Sequence, residues 1–123
     1  MEGMSVIEMV DAALSTGRPM PVKRSGVRRG EVYVGDPDPV VGHEQGGRRP
    51  VLVVSIHAMN RAAARLVISV PLTTTDRVSY AMPEMVGSMS VDRLGRRLGR
   101  VSPDTIEIAA NRIGLLVGLG RSL

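Results

Sequence analysis

Phenylalanine, tryptophan and cysteine are absent from this 123-residue chain, and Tyr33 and Tyr80 are its only aromatic residues. Without cysteine there is neither a disulfide nor a thiolate metal ligand, which excludes a stapled secreted scaffold and fits a cytoplasmic protein. Without large aromatics the core has to be assembled from Val, Leu, Ile, Met and Ala, and a hydrophobic content of 43% supplies enough of them. Lysine is nearly missing as well, since Lys23 is the single lysine among sixteen basic residues and the net charge is +4. A planar guanidinium fork suits phosphate, which an RNA-binding surface would favour, but GC-rich coding enriches arginine equally well. No basic segment followed by an unbroken apolar run opens the chain. No stretch approaches the ~20 apolar residues that span a bilayer, so no membrane partner is expected. The length suits one domain, small enough to gain from a partner subunit.

Periodicity sorts the chain into short strands and one clear helix. Residues 5–15 place Val6, Met9, Val10, Ala13 and Leu14 on one helical face, and Gly17 to Gly26 reads as a linker. Glu31 to Val34 alternates like a strand and stops at Gly35-Asp36-Pro37. Residues 36–47 form a polar loop of unusual length for a compact domain. Val51–Ser55 and Leu66–Leu72 are apolar strands, with Pro71 suggesting an edge or a bulge, and Tyr80–Val86 offers a further strand broken by Pro83. At the C-terminus, Ser102 is placed as N-cap, Pro103 as first helical residue and Asp104 beside the positive dipole end. Ile106, Ala109, Ala110, Ile113, Leu116 and Val117 form its apolar stripe, and Gly118 its stop. Short strands followed by one packed helix predict a mainly β fold, a small bent barrel with helical additions.

One segment concentrates the chemistry. Gly42-His43-Glu44-Gln45-Gly46-Gly47-Arg48-Arg49-Pro50 joins backbone N–H groups, a carboxylate, an imidazole and two guanidinium groups to the strand that begins at Val51. Such a loop brings donors and cations close to a phosphate while the strand holds them still. With Arg28-Arg29-Gly30-Glu31-Val32-Tyr33 before it and Val67-Ile68-Ser69-Val70-Pro71-Leu72-Thr73-Thr74 after it, the order resembles the MazF/PemK family of toxin endoribonucleases. The resemblance covers about residues 27–118. It leaves residues 1–26 as either an N-terminal arm or the product of a start site set too far upstream, and residues 27–123 as the toxin-like domain.

The resemblance implies an SH3-like β-barrel with a C-terminal helix, working as a homodimer, cutting single-stranded mRNA without metal or other cofactor, and inhibited by a MazE-like antitoxin. In such cleavage the ribose 2′-OH attacks the neighbouring phosphorus, leaving a 2′,3′-cyclic phosphate and a free 5′-OH. By the same resemblance Arg49 is the catalytic arginine, Thr73 the catalytic threonine and Glu44 the acidic loop residue. His43, Gln45, Gly46, Gly47, Arg48 and Glu84 are expected to contact RNA. Two departures stand out. Thr75-Asp76-Arg77 passes directly to Val78, as though a strand had been removed, and Met85 and Gly87 stand where the family carries Gln and Arg. These predict an unpaired barrel edge and a weakened enzyme, and keep open a binding-only or gyrase-directed protein on the same scaffold. The arginines between Arg93 and Arg100 read as a solvated face ahead of a phosphate path. Tyr33 and Tyr80 read as half-buried residues ahead of base-stacking ones.

Overall fold

The computed structural model describes residues 6–7, 26–36, 48–75 and 78–120. In chain order they form β1 (Val6–Ile7), β2 (Glu31–Gly35), β3 (Arg49–Val53), α1 (His57–Asn60), β4 (Leu66–Thr75), β5 (Val78–Ala81), β6 (Gly87–Ser90), β7 (Leu94–Arg100) and α2 (Pro103–Leu116). The strands pair antiparallel in the order β1-β5-β4-β3-β2-β7, with β6 also on β4, and curl into an open half-barrel. The expected mainly β fold with a C-terminal helix is thus present.

Both faces of the sheet are covered, so alternation along each strand feeds two clusters rather than one. Val32, Leu52, Val70, Leu72 and Ala81 point one way and pack against Ile106 and Ala109 of α2. Tyr33, Val51, Val53 and Val67 point the other way and pack with Val27, Val91 and Leu94. The turn between β3 and β4 is fixed by Asn60, which is 2% exposed. Its amide nitrogen donates to the carbonyls of Val27 at 3.2 Å and Ser55 at 3.1 Å, and its amide oxygen accepts from the Ser55 hydroxyl.

β4 is the longest strand, and it changes partner along its length. Residues 66–69 pair with β6, residues 72–75 pair with β5, and Val51 lies opposite Pro71 on the β3 side. Pro71 therefore marks neither an edge nor a bulge. It sits at the handover between two partner strands, where a missing N–H forfeits no ladder bond, and its carbonyl accepts from Met82 N–H at 3.1 Å.

The short join after Thr75 also differs from the expectation. Thr75 pairs with Val78, so β4 and β5 are paired up to the two residues between them, a separation that leaves no room for an intervening strand. The outer edge of β5 is met by β1, with Val6 opposite Tyr80 and Ile7 opposite Ser79. The predicted unpaired edge is therefore filled. Val6 and Ile7 are extended rather than helical, because the edge of β5 offers them backbone partners; the remainder of the helix expected over 5–15 lies outside the described residues. Tyr80–Val86 likewise divides, into β5 and a 3-10 turn at Pro83–Met85 that touches α2.

α2 follows its sequence signals. The Ser102 hydroxyl accepts from Thr105 N–H at 3.1 Å, Pro103 opens the helix, and Gly118 closes it with φ +92°. The predicted stripe holds for Ile106 and Ala109 and, in part, Ile113. It fails at the last turn, where Leu116 and Val117 are 53% and 77% exposed because no described element covers that end.

Candidate functional site

Arg49 is the first residue of β3 and lies opposite Gly35 of β2. A Cβ built at Gly35 would come within 2.8 Å of Val51 Cγ1 and 3.1 Å of Cγ2, so only glycine lets β2 approach β3 this closely. Thr73 is exposed near the end of β4 and lies opposite Tyr80 of β5. The β3–β4 ladder runs Val53–Ser69, Leu52–Val70, Val51–Pro71. That ladder ends at Val51–Pro71; two residues beyond each, alternation gives Arg49 and Thr73 the same face as Val51 and Pro71. Gly35, Arg49, Thr73 and Tyr80 thus line one face of the sheet, the face away from α2. Neither the Arg49 nor the Thr73 side chain has a hydrogen-bond or ion-pair partner among the described residues.

Beside these residues, on the same face of β2, lies a buried polar network that the sequence did not reveal. Glu31 is 6% exposed and accepts from Arg28 N–H at 2.8 Å and from the Tyr33 hydroxyl at 2.7 Å. Its second oxygen forms an ion pair with Arg97 Nε at 2.9 Å. Burial pushes the Tyr33 hydroxyl well above the usual tyrosine range; the hydrogen bond to Glu31 and its charge push the same way, against a smaller opposing effect of Arg97. Arg97 is therefore no part of a solvated face but an internal tie between β7 and β2. A buried network of this kind stiffens the strands that carry it.

The other arginines divide by position. Arg48, Arg93 and Arg96 line a cleft of about 410 Å³ with Asp36 and Asp92. Asp92 is paired with Arg65, and Arg93 donates to the Asp36 carbonyl at 3.3 Å, while Arg48 and Arg96 are exposed. The cleft is thus partly basic and adjoins the start of β3. His43, Glu44, Gln45, Gly46 and Gly47 lie outside the described residues. Glu84 is exposed on the Pro83–Met85 turn, which meets α2 and so belongs to the opposite side of the sheet; it does not join the Arg49–Thr73 face. His57 opens α1, with Nδ1 buried and without a hydrogen-bond partner among the described residues.

A curled, mostly antiparallel sheet with a C-terminal helix is also the fold of solved toxin endoribonucleases. An endoribonuclease in complex with its cognate antitoxin from Mycobacterial species superposes with a TM-score of 0.62 at 28% identity, over 78% of this chain and 97% of that one. A family model described as PemK-like, MazF-like toxin of type II toxin-antitoxin system matches residues 28–79, a span that includes both Arg49 and Thr73. Endoribonuclease PemK of Escherichia coli is 46% identical over 92 residues, covering 72% of this chain and 66% of PemK, just under two thirds of that protein's length. Endoribonuclease EndoA of Bacillus subtilis (strain 168) is 49% identical over 43 residues, covering 35% of this chain and 37% of EndoA. The chain belongs to the PemK-like, MazF-like toxin family of type II toxin–antitoxin systems.

Proposed function

We propose that this chain is an endoribonuclease toxin that cuts single-stranded mRNA, with Arg49 and Thr73 at the reacting phosphate. The observation that supports it most is that these two residues share one face of the sheet, both with side chains unpartnered among the described residues, on strands held from both sides. The ribose 2′-oxygen forms a bond to phosphorus as the bond from phosphorus to the 5′-oxygen breaks. The products are a 2′,3′-cyclic phosphate and a 5′-OH. Arg49 stabilises the charge that builds on the phosphoryl oxygens, a role suited to a guanidinium that does not give up its proton. The Thr73 hydroxyl donates to a phosphoryl oxygen from a stiff strand. Glu44, which precedes β3 in the chain, takes the 2′-OH proton, the departing 5′-oxygen takes a proton from water to become the 5′-OH, and His43, Gln45, Gly46, Gly47 and Arg48 hold the RNA backbone.

The same surface accounts for control. Carboxylates of an acidic antitoxin tail compete for arginines that otherwise meet phosphate, and a homodimer extends the groove across two copies. The endoribonuclease relatives favour the enzyme over the binding-only and gyrase-directed readings, and pairing of the β5 edge removes one of the two departures behind the former, leaving Met85 and Gly87.

Cleavage of a long single-stranded RNA in EDTA, with 2′,3′-cyclic phosphate ends identified on the products, tests the reading. Arg49→Ala and Thr73→Ala should each slow the reaction by ~10²–10³, the usual effect of losing one preorganised stabiliser. Parent protein that leaves the RNA intact, or an Arg49→Ala variant as fast as the parent, refutes it.

A further inference from the structure

We infer that Tyr80 is a stacking platform for one unpaired nucleobase of the RNA, a subsite that rests on the endoribonuclease reading and gives it a preference for single strands. The chain has only two phenol rings and no phenylalanine or tryptophan, and the structure separates the roles of the two tyrosines. Tyr33 is 2% exposed and its hydroxyl is committed to Glu31. Tyr80 is half-buried, its hydroxyl has no partner among the described residues, and it lies directly opposite Thr73.

The position of Tyr80 is fixed by its neighbours. Ser79 and Ala81 are 1% exposed each, and Ala81 belongs to the cluster under α2, so alternation turns Tyr80 to the face that carries Thr73 and Arg49. Strands lie about 4.8 Å apart, so the backbone of Tyr80 is roughly 10 Å from that of Arg49, two strands away, with Thr73 between them. A nucleotide whose phosphate sits between Arg49 and Thr73 and whose base is splayed outward bridges such a span. Every base has a π-face, so stacking accepts any base that is not already stacked within a duplex. Selection for single-stranded RNA then follows from one ring on a rigid strand, without hydrogen-bond readout.

The chain has no tryptophan, so tyrosine emission reports on the ring itself. The probe is a short single-stranded oligonucleotide with 2′-O-methyl riboses, which has no nucleophile and is bound but not cut. Binding should quench tyrosine emission in the parent protein. In Tyr80→Phe the quench should vanish while affinity stays, because phenylalanine keeps the stacking face. Tyr80→Leu should weaken binding by roughly 5- to 150-fold, the range for loss of one stacked base, and raise KM with little change in kcat. Thr73→Ala should show the reverse split, a fall in kcat with KM nearly kept.

The outcomes separate the two readings. Parent protein that neither binds the probe nor cuts RNA overturns the endoribonuclease reading and the stacking together. Parent protein that cuts RNA and binds the probe, but shows no quench or the same quench in Tyr80→Phe, overturns the stacking alone. Equal affinity of a folded Tyr80→Leu variant does the same. Should Tyr80→Leu fail to fold, the quench comparison between parent and Tyr80→Phe still decides.

Discussion

Replacing Gly35 by alanine tests the link between strand packing and the site with a single methyl group. That methyl would stand 2.8 Å from Val51 Cγ1, closer than real Cβ atoms approach, and 3.1 Å from Cγ2, tighter than most Cβ contacts. Val51 cannot swing aside easily, because a β-branched side chain is stiff at χ1 and this one is 5% exposed within a packed cluster. Relief has to come from moving β2 away from β3, and overpacking of this kind costs about 1–3 kcal/mol. The displaced pair is Gly35 and Arg49, so the same shift moves the guanidinium, and a ~1 Å misplacement lowers rate by ~10²-fold. Urea unfolding followed by far-ultraviolet circular dichroism measures the first effect, and RNA cleavage measures the second. A double-mutant cycle with Val51→Ala isolates the cause. Removing the two methyls of Val51 costs about 1.6 kcal/mol in lost burial, at ~0.8 kcal/mol per group, and opens a gap that the methyl introduced by Gly35→Ala then partly fills. The double variant should therefore be less destabilised than the sum of the singles by at least ~1 kcal/mol. Additivity within ~0.5 kcal/mol, or a Gly35→Ala protein as stable and active as the parent, would refute the steric account.

Two further outcomes concern the scaffold. Ser102→Ala should cost about 1 kcal/mol by stripping the N-terminal cap from α2, with cleavage unaffected in the folded protein; urea midpoints at unchanged slope report it. Tyr33 keeps its proton in the folded state beyond the pH at which it ionises when unfolded, so its contribution is complete below pH ~10 and falls as pH rises above that value. Stability profiled from pH 8 to 11 should decline in the parent, and Tyr33→Phe should flatten that decline; an unchanged slope in the variant would count against the buried Glu31–Tyr33 pair as its origin.

Local chemistry made part of this protein legible in its sequence. The start of α2 is written in Ser102, Pro103 and Asp104, and its end in Gly118, because caps and stops act through residues adjacent in the chain. The apolar runs of β3 and β4 announced the strands, and the segment from Gly42 to Pro50 announced the family. Tertiary structure decided what depends on residues far apart in the chain. Alternation alone cannot say that Tyr33 is enclosed beside Glu31 while Tyr80 stands opposite Thr73, since both rings occupy ordinary strand positions. Nor can composition say that Arg97, among a run of arginines, closes onto the distant carboxylate of Glu31. The short join after Thr75 resembled a deletion in one dimension, yet in three β4 and β5 pair directly on either side of it and β1 meets the outer edge of β5. Register is the physical reason in each case. Which residues face one another across a sheet is set by backbone hydrogen bonds between distant segments, and those bonds are the same whatever side chains they bring together.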